Sequence, residues 1–313
     1  MVCQRAHWDA AWFARWNRLF TGAAPVGGPF VPPEIAYHRK TWEWVAIAQA
    51  LDERGLLAPG RRGCGFAVGR EPLAALFARH GIAVLATDLA AGAQDAQGWT
   101  NAGQHAANLD ALYWPHIVDR AAFDQHVRFQ AQDMRALTLD EPGQFDFIWS
   151  ACSLEHLGTL EAGLQFVLRS TELLRPGGIA VHTTEFNLSS DTATITAGAD
   201  VLYRSSDIAS LAARLRLIGC ALERFDPFAG TAPEDIDYDY PPYYTHGRPH
   251  VKLLIDGFVS TSCLLIITKG QPPTVLPALA TMALRPDSPW PPPRRGLYPR
   301  LRLWLGEIGR AHV

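Results

Sequence analysis

Between residues 63 and 225 the chain alternates short apolar runs with segments whose apolar positions recur every three or four residues. The runs at 63–68, IAVLAT at 82–87, VRFQA at 127–131, FDFIWS at 145–150, IAVHTTEF at 179–186 and CALERF at 220–225 read as strands. The unbroken apolar character of IAVLAT suits a strand covered on both faces. Helical periodicity predicts helices over 71–80, with Leu73, Leu76 and Phe77 inward, and over 104–114, 160–174 and 205–218. Arg175-Pro176-Gly177-Gly178 stops the third of these. Such alternation predicts parallel strands joined by crossover helices, an α/β doubly wound sheet. CLLIITK at 263–269 follows with no clear helix before it, so it is predicted antiparallel.

Outside that stretch the pattern changes. RAHWDAAWFARWNRLF at 5–20 puts Trp8, Trp12 and Trp16 on one helical face, fit for docking on the main domain or for a partner or membrane surface. A Gly/Pro-rich loop at 22–33 leads to a second helix, HRKTWEWVAIAQALDE, at 38–53. Residues 271–313 are proline-rich and end in Leu301, Leu303, Trp304, Leu305 and Ile308 among arginines, a weak basis for peripheral membrane contact. The expected organisation is an N-terminal helical extension or lid (1–58), a core domain (59–270) and a C-terminal tail (271–313).

Composition narrows the function. The net charge is −3 and no basic block exists, Arg61-Arg62 and Arg294-Arg295 being no more than pairs, so nucleic acid is not an expected partner. Five cysteines, odd in number and without CxxC spacing, argue against a disulfide framework and a zinc site, and no metal is expected. No signal peptide is visible and no apolar stretch approaches the length of a membrane span, so the expected location is cytoplasmic.

In an open α/β sheet the ligand lies beyond the carboxyl ends of the strands, and four groups of residues fall there. The turn Gly65-Phe66-Ala67-Val68-Gly69 lets a ligand approach the backbone, or is a plain strand-to-helix turn. Asp88, 23 residues after Gly65, ends the next strand, where a carboxylate accepts from both ribose hydroxyls or caps a helix. Asp133-Met134 follows the third strand, where an acid can accept from an adenine amino group and a thioether can lie on the ring. The run Ser150-Ala151-Cys152-Ser153-Leu154-Glu155-His156 leaves the FDFIW strand where a substrate meets a cofactor.

GFAVG with Asp88, FDFIWSACSLEHL, and LLRPGGIAVHTTEF together resemble the class I S-adenosylmethionine-dependent methyltransferases over roughly 60–270. EHLGTLEAG with AVHTTEFNLSS is similar to members found among bacterial glycan-assembly proteins. The resemblance implies a mostly parallel, seven-stranded Rossmann-like sheet with an antiparallel last strand, and S-adenosylmethionine as cofactor. It implies that Gly65, Ala67 and Gly69 pack against the methionine and ribose, Asp88 holds the ribose, Asp133 and Met134 flank adenine, and Ser150 lines the methionine end. Two positions depart from the family pattern: Gly63 stands where an acid is common, and Ala67 replaces the middle glycine. Glu71 is the candidate to replace the missing carboxylate near the cofactor's ammonium group.

Methyl transfer to a sugar or small-metabolite oxygen needs a proton acceptor. The candidates are His156, Glu155 and Glu185, with His182, mid-strand, read as a core residue. The stretch DIDYDYPPYYTHGRPH at 235–250 offers aromatics and hydroxyls suited to a sugar or aromatic acceptor, and Lys40-Thr41-Trp42-Glu43-Trp44 could lid the cofactor; either could equally be ordinary packing. Two rivals stay open: a non-catalytic cofactor-binding or scaffold protein, and a nicotinamide-dependent oxidoreductase. The latter lacks GxGxxG and a Tyr-x-x-x-Lys set.

Overall fold

Among the described residues an eight-stranded sheet has the order β3-β2-β1-β4-β5-β8-β6, with β7 paired to β8 off this path. The strands are β1 (Arg62–Gly65), β2 (Ala83–Asp88), β3 (Val127–Ala131), β4 (Phe145–Ala151), β5 (Leu174–Asn187), β6 (Cys220–Leu222), β7 (Leu253–Ile255) and β8 (Phe258–Lys269). This computed structural model describes residues 1–22, 37–90, 92–93, 103–139 and 142–270. The tail reading at 271–313 lies outside the described residues.

Strands β1 to β5 pair in parallel, and β8 pairs antiparallel with β5, β6 and β7. The chain reverses its walk across the sheet between β1 and β4, which makes their carboxyl ends the switch point where a ligand crevice forms. Alternation explains the two covers. Phe147 and Trp149 of β4, Val181 of β5, and Leu264 and Ile266 of β8 share one core with α1 (Ala11–Thr21), α2 (Arg39–Glu53) and α3 (Leu73–Arg79). Ile148, Ala180, Leu265 and Ile267 point the other way, onto Phe166 and Val167 of α5 (Leu160–Ser170) and Ile208 and Leu211 of α6 (Ser205–Leu217). α4 (Arg120–His126) packs beside α3, with Phe123 in the first core.

Several elements differ from the sequence expectation. No helix covers 104–114. A single 3-10 turn, Leu109–Leu112, is capped by Asn108, and the helix feeding β3 is α4, whose Asp119 side chain accepts the Ala122 N–H at 2.9 Å. The 5–20 helix is two pieces, a 3-10 turn at Arg5–Asp9 and then α1, so Trp8 leaves the face it was expected to share. The buried face of α1 is Phe13, Trp16 and Phe20, and Trp16 donates to Gln49 of α2 at 2.8 Å. α5 stops at Ser170, and the CALERF strand keeps only Cys220–Leu222. The eighth strand, β7, is joined to β8 by Asp256-Gly257, whose φ values of 45° and 86° fit a tight hairpin turn.

Candidate functional site

The turn after β1 is built from its neighbours' needs. Gly65 sits against the Trp149 ring and the Val68 side chain, with no room for a Cβ. Ala67 and Gly69 hold left-handed backbone at φ 45° and 52°, so Ala67 bears a strain that glycine would not. The β2 end locks the turn: Thr87 Oγ1 donates to the Gly65 carbonyl at 2.8 Å, and the Val68 N–H reaches the Thr87 carbonyl at 3.1 Å. Asp88, the last residue of β2, is buried. Its Oδ2 accepts the Gly69 and Ala106 N–H groups at 3.1 Å each, and its Oδ1 accepts the Leu89 N–H at 2.8 Å. Burial nevertheless pushes its carboxyl above the usual range. The segment at 103–106 therefore lies against this elbow, with the Gln104 carbonyl 2.9 Å from where a Cβ on Gly69 would be.

Gly63 is glycine for a packing reason. A Cβ there would lie 2.5 Å from the Phe147 ring. An acidic side chain has no room at that place; the carboxylate near the turn is that of Glu71. It is buried, accepts the Trp149 indole N–H at 2.6 Å, and is pushed up by burial to about 8. The charges of Lys40, Glu43 and Asp88 reach it as well. Beyond β3, Met134 is buried, whereas Asp133 is gripped by Arg135 at 2.7 Å, which lowers its carboxyl pKa. Gln132, which sequence reasoning missed, holds this loop: its amide donates to the Asp133 and Ala136 carbonyls at 2.7 and 2.8 Å.

At the end of β4 the side chains separate by role. Ser150 Oγ is 2.8 Å from His182 Nδ1 under the sheet, so only its backbone can face a ligand above. His182 is a buried core histidine held neutral, its pKa pulled down to about 3 by burial. Cys152 turns the chain at φ 46°, and its N–H is held by Thr183. Glu155 is wholly buried. Its Oε2 accepts the Thr184 hydroxyl at 2.8 Å, while Oε1 accepts no hydrogen bond among the described residues and lies 4.0 Å from His156 Nε2. Burial pushes Glu155 up to about 7, against the pull of His156.

His156 and Glu185 are committed elsewhere. Burial would lower the imidazole, but the Asp200 carboxylate 3.1 Å from Nδ1, with Glu155 adding charge, holds it up to about 9. At neutral pH it is a cation. Glu185 is fully buried, forms an ion pair with Arg39, and accepts the Ser260 hydroxyl at 3.0 Å. The next residue on α2, Lys40, pairs with Glu43 at 3.0 Å, and Glu43 accepts from Ser262 at 2.5 Å. Arg39, Asp200, Ser260 and Ser262 were not legible as site residues; the one local signal was the Arg39-Lys40 pair at the head of a helix otherwise read as a lid.

A donor atom from each of Cys152, Glu155 and Glu185 lies within 4.8 Å of the others. These are poor metal ligands as they stand: Arg39 holds Glu185, and burial raises the Cys152 thiol well above its ordinary value. The stretch 235–250 flanks the cluster. Tyr243 is buried there, its hydroxyl donating to the Leu254 carbonyl at 2.9 Å, and burial raises that hydroxyl well above its ordinary value.

Residues 62–182 match the family model described as a methyltransferase domain. No curated sequence is a detectable relative of the chain. Among solved structures it is similar to an S-adenosylmethionine-dependent methyltransferase from Mesorhizobium loti, at 16% identity and a TM-score of 0.44, over 70% of this chain and 96% of that one. A magnesium protoporphyrin IX methyltransferase from Synechocystis with bound S-adenosylhomocysteine shares 16% identity at a TM-score of 0.45, over 85% and 98% of the chains. A phosphoethanolamine N-methyltransferase 2 from Haemonchus contortus, in complex with S-adenosylmethionine, shares 15% at a TM-score of 0.46, over 87% and 61%. Among the described residues no helix is long and apolar enough to cross a membrane. Residues 62–182 thus match a methyltransferase-domain family over the parallel part of a doubly wound sheet that closes with an antiparallel strand.

Proposed function

We propose that the protein transfers a methyl group to an oxygen of a sugar or small metabolite, with Glu155 as the proton acceptor. One observation carries the reading: Glu155 Oε1 is buried at the carboxyl end of β4, free of hydrogen bonds among the described residues, in a carboxyl poised near neutrality. The protein's acids fit the cofactor's polar groups. Asp88 takes the ribose hydroxyls, exchanging the Ala106 N–H for one of them. Glu71 faces the ammonium, and Asp133 and Met134 border the adenine. Gly65, Ala67, Gly69 and the Ser150 backbone form the floor.

Bound S-adenosylmethionine supplies a methyl group already activated on a sulfonium. The chain's own work is alignment, exclusion of water and removal of one proton. As the acceptor oxygen gains the methyl, its proton passes to Glu155 Oε1. His156, a cation against Asp200, steadies the charged Glu155 rather than acting as a base, and Glu185 anchors Arg39. The helices of 1–58 serve as the lid of a 59–270 domain, and the tyrosines of 235–250 border the acceptor. The glycan-assembly resemblance selects sugar intermediates as the first acceptors to test.

The test is labelled-methyl transfer to glycan intermediates and small hydroxylated metabolites by wild type and Glu155→Gln. Transfer by wild type, lost in the variant while adenosylhomocysteine still binds, is the expected result. Binding without transfer to any acceptor would favour a cofactor-binding scaffold, and undiminished transfer by the variant would remove Glu155 as base.

A further inference from the structure

Four side chains outside the proton chemistry form one directed chain of hydrogen bonds at the head of α2. His38 caps the helix: its Nδ1 accepts the Lys40 N–H at 3.1 Å. A nitrogen that accepts carries no proton, so a neutral His38 holds its hydrogen on Nε2. Nε2 lies 3.0 Å from the Tyr244 hydroxyl oxygen and donates to it. Tyr244 has one hydroxyl proton, and it goes to His250 Nε2 at 3.2 Å. His250 is thereby protonated on Nδ1, which donates to Asp239 Oδ2 at 2.8 Å. Asp239 Oδ2 also accepts the Tyr244 backbone N–H at 3.1 Å, so the carboxylate fixes both ends of the tyrosine. The rings are stacked, His38 on His250 at 4.6 Å and Tyr244 on His250 at 4.4 Å between centroids. Asp239 and His250 are fully buried.

This chain joins two pieces far apart in sequence at the point that matters for the site. The Arg39 N–H meets the His250 carbonyl at 3.0 Å, and the next side chains along α2 are Arg39 on Glu185 and Lys40 on Glu43. Whatever seats His38 seats those ion pairs beside Glu155.

We infer that Tyr244 is a positioning residue for methyl transfer, acting through His38 to hold the first turn of α2 over the strand ends, so that the tyrosine-rich segment and the helical lid close as one unit. The inference rests on the site reading given above. The ring stack alone would survive loss of the hydroxyl; the directed chain would not.

Ring nitrogen-15 spectra of the ligand-free full-length protein test the chain without any mutation. His38 is expected as the Nε2–H tautomer and His250 as the Nδ1–H tautomer; the opposite assignment for either ring overturns the inference. In Tyr244→Phe, amide exchange at residues 39–42 is expected to rise about tenfold, from roughly one hydrogen bond's worth of lost support, with the amides of β1 unchanged. Adenosylhomocysteine affinity should fall several-fold in parallel. Unchanged exchange at 39–42 overturns the latch. Faster exchange in a protein whose wild type does not bind adenosylhomocysteine would instead overturn the site reading, and with it the role in transfer, while the hydrogen-bond chain stands.

Discussion

Trp149 donates its indole N–H to Glu71 across 2.6 Å, tying the β4 strand to the turn before α3 and fixing a buried carboxylate there. The same ring fills the space above Gly65. One aromatic side chain thus both removes room for a Cβ in the turn and orients an acid that the turn itself does not carry.

Glu71 should link cofactor binding to proton release. Its carboxyl is protonated below about 8 in the free protein, and pairing with an ammonium requires the charged form. Calorimetry of adenosylhomocysteine binding near pH 6.5 in buffers of different ionisation enthalpy should show close to one proton released. Glu71→Gln should abolish the release and weaken binding by roughly ten- to a hundredfold. Stability carries the same sign. A carboxyl raised on folding stabilises below its ordinary value of 4.5, and that contribution is lost as pH rises through about 8. Unfolding of ligand-free Glu71→Gln should therefore show a flatter pH dependence over that window.

Asp88→Ala should cost about a hundredfold in adenosylhomocysteine affinity, the worth of two hydrogen bonds to a charged group. Wild type should also show changed amide exchange at Gly69 and Ala106 on binding, because both N–H groups now rest on that carboxylate. Affinity retained in the variant would rule out the ribose role.

The rate profile separates Glu155 from His156. With Glu155 as base, kcat/KM should climb with pH through about 7, and Glu155→Gln should lower turnover by roughly 10²- to 10⁴-fold. His156→Gln removes a cation 4.0 Å from Glu155 Oε1, so the climb should move to higher pH without disappearing. A profile that vanishes in His156→Gln and persists in Glu155→Gln would reverse the assignment.

Arg39→Met leaves Glu185 buried beside α2 without its cation. Denaturant unfolding should show a loss of about 3–5 kcal/mol, largely recovered by adding Glu185→Leu. A single variant as stable as wild type would mean that the pair does not hold α2 in place.

Placing an acid at position 63 should fail. In Gly63→Asp the new Cβ meets the Phe147 ring at 2.5 Å, and a buried charge is added to an overpacked core. A stability loss of at least ~3 kcal/mol is expected by thermal unfolding. An unharmed variant would show that the aromatic packing is not what selects glycine there.

Local pattern by itself determined the sheet. Apolar runs such as IAVLAT and FDFIWS must be covered on both faces, and the periodic segments between the strands read as the covering helices. That placed Asp88 at a strand end and Cys152–His156 just beyond β4, since strand polarity follows from chain order. It failed at 104–114, where apolar spacing suggested a helix but the Asp119 cap starts one only at Arg120, and at Asp256-Gly257, a hairpin signal between two short apolar runs. The chemistry of the acids was decided by tertiary structure. Glu155, His156 and Glu185 look alike as candidates in sequence; Asp200 makes His156 a cation, and Arg39, 146 residues from Glu185, holds that carboxylate in an ion pair. Proton affinity depends on burial and on charges a few ångströms away, and folding brings those charges from distant parts of the chain.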